Sequence, residues 1–395
     1  MKFRGPLAAT LFAPPLFAHE RWLKHDLKHP LQAAFFGRWP GYPLSMQPSM
    51  LRIGINAFVV LAACLAAWFA RNIVIEWLQQ RVLVPSAGRV QRALDEVVCF
   101  FADRPVRNRV FRVIGEWSVV LFLRSPGLVL MYSATNDSLV MPSYPLDPAS
   151  ATFFKFAQVA LAILILTETA LPLCGALIIG TWLYLFGWGW MVTVDALPVL
   201  TVAAVYVTSP WYSHKLAITS LTPAQTRVTR VILGFAFMAL GWMKIYNYNL
   251  IAGVADNYPS AMNDPMINFF ALGTEAMYRR ETWVVAFGLA EVLSGFMMMI
   301  GVFVRGWGVV MIFIFTKLML VDFGWDEIPH IYPIAALLAI VFSNHLRSEL
   351  APIEERVRRE SRTALRLAEI LVPAGALAAL VIFPLLWLLT FRSEP

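Results

Sequence analysis

Long apolar runs separated by short polar connections set the character of this chain, and most of them approach the roughly 20 residues a helix needs to cross the hydrocarbon of a bilayer. They predict spanning helices at 53–70, 113–132, 153–171, 173–194, 198–209, 231–250, 283–300, 307–321, 328–342 and 370–391, about ten in all. The expected fold class is therefore all-α, a polytopic membrane protein. The expected organisation is an amphipathic interfacial segment over 1–52, then a first helix and basic linker over 53–111. Four-helix bundles follow over 112–214 and 228–345, and a basic linker with a last spanning helix over 346–395.

The two bundles echo one another. Phe186-Gly187-Trp188 precedes Asp195-Ala196-Leu197-Pro198, with His214 nineteen residues after the Asp, and Phe323-Gly324-Trp325 precedes Asp326-Glu327-Ile328-Pro329, with His345 again nineteen after the Asp. The interval from Phe to Asp differs, nine against three. The pattern reads as a tandem duplication. Placing the arginine-rich 343–367 segment in the cytoplasm puts 210–230 and 71–112 there as well, both basic, by the positive-inside rule. The same count leaves 133–152 and 250–282 outside and gives the bundles one orientation. It also sends the basic N-terminal segment outside, unless 53–70 does not cross.

Composition agrees with the pattern: 59% of residues are hydrophobic, 14% are charged and the mean hydropathy is +0.64, beyond the soluble range. The net charge of +7 is carried mainly by linkers beside apolar runs, which marks topology and gives no reason to expect nucleic acid. Cys64, Cys99 and Cys174 are too scattered for a disulfide framework, a CxxC or a covalent haem motif. His25 and His29 stand one helical turn apart but lack the Glu of the zinc-protease pattern and read as a solvated face, so no metal site is expected. No Walker loop, dinucleotide fingerprint or nucleophile elbow is present. Tryptophans at the predicted run ends serve as interface anchors.

Chemistry therefore rests on ionisable groups inside apolar runs, each costing at least about 2.5–3.5 kcal/mol at mid-bilayer and so expected to face a bundle interior or wet cavity. Glu291 lies within 283–300, and Lys244 near the end of 231–250 is its natural counter-charge. Together with Asp326 and His330 they form a candidate ligand site for quinone binding or proton relay; the alternative is an ion pair that holds two helices in register. Arg124 with Glu168 reads as such a register pair in the first bundle. Asp195 and Asp326 precede short proline-containing runs, where an aspartate can cap a helix. His214 and His345 fall at the opposite end from His330 and cannot join it in one metal site.

The second bundle resembles the DoxX family of small four-helix membrane proteins. Leu233-Gly234-x2-Phe237-x3-Gly241-x2-Lys244 is similar to its first-helix pattern; Ala290-Glu291, Ser294-Gly295 and Gly301-x3-Arg305 follow the next helix and turn; Asp326 to Pro333 loosely follows its acidic-aromatic-proline motif. Residues 112–214 then read as a diverged DoxX-like copy lacking the Gly-x2-Lys element. A histidine frequent near the outer end of the family's third helix is replaced by the 317–322 region. The resemblance implies residence in the bacterial cytoplasmic membrane and redox work beside quinone with other membrane or periplasmic redox subunits. The leading reading is an integral subunit of a respiratory or redox complex. A non-catalytic scaffold or assembly subunit and a small-molecule or ion transporter stay open as alternatives.

Overall fold

A computed structural model describes residues 47–81, 89–136, 138, 148–185, 190–211, 218–246, 262, 265–274, 279–317, 320 and 330–353. Among the described residues every regular element is a helix. In chain order these are α1 (Gln47–Arg81), α2 (Arg89–Phe101), α3 (Arg109–Thr135), α4 (Pro148–Leu166), α5 (Leu171–Leu185), α6 (Trp190–Asp195), α7 (Val199–Val207), α8 (Pro223–Tyr246), α9 (Pro265–Phe270), α10 (Arg279–Ile300), α11 (Val304–Lys317) and α12 (Ile331–Val341). Of the interfacial segment expected over 1–52, residues 1–46 with the His25 and His29 pair lie outside the described residues, as does the last helix expected over 370–391, and 47–52 form the start of α1.

Four helical stretches are long and apolar enough to cross a membrane by length and composition: Leu51–Arg71, Arg109–Thr135, Pro223–Ile245 and Glu281–Ile300. Ala151–Leu166, Leu171–Leu185 and Ile331–Val341 are apolar but shorter. In the Leu51–Arg71 span only 17% of the most apolar stretch is buried within the protein, and Leu51, Ile55, Phe58 and Val59 all stand exposed. Such an outward-facing apolar surface is unfavourable in water and fits contact with lipid.

Several helix ends differ from their expected places for identifiable reasons. Arg71 does not stop the first helix, which runs on to Arg81; its guanidinium lies 3.3 Å from the centre of the Trp68 ring and donates to the Trp68 carbonyl at 2.8 Å, so the charge is accommodated on the helix surface. The run at 153–171 is interrupted, because α4 ends at Leu166 and Glu168 and Ala170 take positive φ of 53° and 51° before α5 begins. The first helical run of the second bundle starts eight residues before 231, at Pro223. There the Gln225 amide donates to the Thr222 hydroxyl at 3.2 Å and the Gln225 side chain accepts from the Thr222 amide at 3.0 Å, a reciprocal cap with proline in the first turn.

The helices sort into two compact units. The first contains α3 from Ser118, α4 to α7, α11 from Met311 and α12 to Leu338. Within it Gly127 of α3 lets the Ala162 carbonyl of α4 approach to 3.1 Å of where a Cβ would stand, and Gly175 of α5 does the same for Ala203 of α7 at 2.7 Å. The Tyr206 hydroxyl of α7 donates to the Leu123 carbonyl of α3. α3 also carries Pro126, which removes the donor to the Phe122 carbonyl four residues earlier, and the Ser125 hydroxyl donates to that carbonyl instead at 3.1 Å.

The second unit contains α1, α2, α3 to Trp117, α8 to α10, the start of α11 and the end of α12 with the segment beyond it. Asn56 of α1 donates to the carbonyls of Phe270 and Leu272 at 2.9 and 3.1 Å, closing the end of α9. Its central feature is the seam between α8 and α10. A Cβ on Gly234 would lie 2.6 Å from the Gly295 carbonyl oxygen, and one on Gly288 would lie 2.6 Å from that of Gly241; the reverse approaches, Gly295 to Gly234 and Gly241 to Gly288, are closer still. The two backbones touch because side chains are absent at all four crossing positions, the means by which apolar helices associate where no hydrophobic drive separates them from lipid.

Candidate functional site

The seam also determines where the ionisable groups meet. Gly241 stands one turn before Lys244 on α8, and Gly288 one turn before Glu291 on α10. A Cβ on Gly241 would lie 2.9 Å from the Glu291 Cβ, so the missing side chain is what makes room for the carboxylate. Lys244 Nζ donates to Glu291 Oε1 at 2.5 Å, with the lysine side chain 17% exposed and the glutamate 2%. Lys244 lies in the last turn of α8, where the carbonyl end of the helix favours a cation. Its ammonium stands 4.3 Å from the centre of the Phe287 ring, which stacks on Trp283 at 5.3 Å with the planes 8° apart. The Trp283 indole N–H is buried and meets no acceptor among the described residues. A charge-assisted pair, two parallel rings and a buried donor thus share one short stretch of α10.

Of the four sequence-derived candidates, Lys244 and Glu291 come together in the second unit. His330 belongs to the first unit, in a single turn leading into α12, with its ring 5.3 Å from that of Phe315. Asp326 lies outside the described residues. In the first unit Arg124 and Glu168 pair at 3.3 Å, and the Glu168 carboxylate also accepts the Ile218 amide at 2.8 Å, so it ties the turn after α4 to the segment before α8. Asp195 is the last residue of α6; the residue at the N-cap of α7 is Pro198, which supplies no capping bond.

Two charged clusters of the second unit went unread as sites. Arg305, 1% exposed, donates to the carbonyls of Val341 (2.9 Å), Ser343 (2.7 Å), Arg104 (2.5 Å) and Phe100 (3.3 Å). The Asp103 carboxylate accepts the amides of Val304 and Arg305 at 2.7 and 2.9 Å, capping α11 from a different segment of chain. Elsewhere Arg230, also 1% exposed, donates to the Met298 and Met299 carbonyls and to Glu349, and Arg227 holds the same carboxylate through two bonds of 2.8 and 2.6 Å. The Gly301-x3-Arg305 pattern and the Thr222-Pro223-x-Gln225 cap are the signals that point to these places in the sequence.

Burial pushes the Asp103 carboxyl up to about 6, outweighing the two amide bonds and the nearby Arg305, which lower it. A folded-state value above the unfolded one, 3.8, means that the folded protein holds this proton more tightly. Its contribution to stability is full below about pH 4 and is lost as pH rises through 6. Because the carboxyl is only half-buried, screening trims the effect to about 1–2 kcal/mol. Unfolding midpoints recorded from pH 4 to 7 should fall by that amount in the parent relative to Asp103→Asn, whose profile lacks this step.

Among the described residues no group of three or more metal-ligating side chains converges. No protein-family model, curated protein or solved structure matches the chain.

Proposed function

We propose that this chain is a multi-pass, DoxX-like protein of the bacterial cytoplasmic membrane, with about ten spanning helices in two four-helix bundles, that serves as an integral subunit of a redox assembly and holds a quinone headgroup beside Lys244 and Glu291. The observation that carries the reading is the Lys244–Glu291 pair itself, a cation and a carboxylate set inside two helices of membrane-spanning character. A buried pair of this kind is rarely favourable for stability alone, because the desolvation of both ions offsets their attraction. The residues suit the group: the partly exposed ammonium is a donor for a quinone carbonyl, the unsatisfied Trp283 N–H lies buried close by, and the stacked, buried Phe287 and Trp283 rings form an apolar backing behind the ammonium. A bound quinone supplies two-electron chemistry, with electrons delivered by a partner subunit's cofactor. Lys244 orients the carbonyl, and Glu291 holds the lysine in place.

The second reading is a scaffold or assembly subunit, and the glycine seam favours it, since a pair bridging two touching backbones also locks their register. Quinone content after mild detergent extraction separates the two. The proposal expects retained quinone in the parent, at least tenfold weaker rebinding in Lys244→Gln, and unchanged association with partner subunits. A parent that neither retains nor rebinds quinone, with Lys244→Gln releasing the partners instead, decides for the scaffold.

A further inference from the structure

The other end of α8 carries a cavity of about 680 Å³ that the preceding reading does not use. Arg227, Arg230, Arg347 and His345 line it, with Glu349 as its acidic member. Three guanidinium groups therefore face one carboxylate. Arg230 is committed to the Met298 and Met299 carbonyls and to Glu349, so it forms a fixed floor. Arg227 is 66% exposed and grips Glu349 from the rim. Arg347 is exposed and makes no hydrogen bond or ion pair among the described residues. The first turn of the 24-residue helix α8 opens at the same place and contains no acidic residue, so the positive end of its dipole adds to the excess.

A second feature starts one helical turn beyond Ala224, which lines this cavity. Val228, Phe235 and Trp242 are 43%, 52% and 55% exposed, and their spacing of seven residues puts them on one face of α8. The stripe runs about 21 Å along the helix. Arg227, the neighbour of Val228 in sequence, stands at its head. An anion-seeking cavity joined to an apolar track fits a molecule that is a phosphate at one end and a hydrocarbon at the other.

We infer that this cavity seats the phosphate of an anionic phospholipid, with Arg347 and Arg227 gripping the headgroup and one acyl chain lying along Val228, Phe235 and Trp242. Arg347 is the free donor that engages the phosphate first, while Arg230 and Glu349 hold the floor of the cavity in place. The inference rests on the bilayer part of the proposed function and is independent of quinone.

The test uses the full chain in mild detergent, with thermal unfolding and native mass spectrometry recorded against phosphatidylglycerol, phosphatidylcholine of the same acyl chains, and inorganic phosphate. Phosphatidylglycerol should bind at least tenfold more tightly than phosphatidylcholine. Arg347→Gln breaks no bond of the fold and should weaken phosphatidylglycerol about fivefold, the share of one arginine near an anionic surface, while Arg347→Lys retains most of the preference. Equal binding of the two lipids, or no loss in Arg347→Gln, overturns the inference. A shift reproduced by inorganic phosphate alone, with nothing added by the acyl chains, overturns it in favour of a soluble anion. Quinone measured in the same preparations keeps the outcomes apart: lipid selection without quinone sinks only the preceding reading, and quinone without lipid selection sinks only this one.

Discussion

Lys244→Met is expected to destabilise the folded protein by about 3–5 kcal/mol, because it leaves the Glu291 carboxylate, 2% exposed, without its cation. Adding Glu291→Met should return most of that loss, since two apolar side chains of similar length can occupy the space without the cost of desolvating ions. The double-mutant cycle is read from unfolding in detergent as denaturant is raised. Its diagnostic feature is sign: the double variant should be more stable than the single one. A double variant weaker than Lys244→Met would show that Glu291 is held by groups other than this lysine. The contact of the ammonium with the Phe287 ring is a smaller term, lost in Lys244→Met and in the double variant alike, so it cancels in the comparison between them.

Arg305→Ala should be of similar size, about 3–5 kcal/mol, for a different reason. The guanidinium serves four carbonyls, from the end of α2 and the segment after it and from the end of α12 and the segment after it, and its removal strands acceptors that are buried or half-buried. Arg305→Lys keeps the charge but not the planar fork, and one ammonium cannot reach all four acceptors, so it should recover less than half of the loss. Limited proteolysis adds a local readout: new cuts are expected near 100–106 and 341–345 in both variants. Cleavage confined to other segments would mean that Arg305 does not hold these two together.

The sequence made the helical architecture legible because its apolar runs are long and strongly patterned: the run at 113–132 became α3 with a few residues added at each end, and the run at 283–300 became α10 with four added at its start. The Lys244–Glu291 pairing was legible for the same reason, since an apolar helix leaves a lone carboxylate few ways to be compensated. Other features left weaker traces. The break at Glu168 and Ala170 uses positive φ at residues other than glycine, so no punctuation marks it in the chain. Arg227 and Arg230 looked like linker charges because the helix was counted from its first apolar residue and not from the Thr222 cap. Arg305 and Asp103 bind main-chain groups some 200 residues away in sequence, and main-chain acceptors carry no residue-type signal.

The seam between α8 and α10 has a mechanical consequence. Where carbonyls rest on Cα atoms, there are no side-chain rotamers to rearrange, so one helix cannot slide past the other by a fraction of a turn without driving main chain into main chain. The pair behaves as a single double-width strut, and the ion pair it carries keeps its length while surrounding parts flex. Any motion that serves this protein must therefore bend or hinge around that strut, leaving its two rods in fixed alignment.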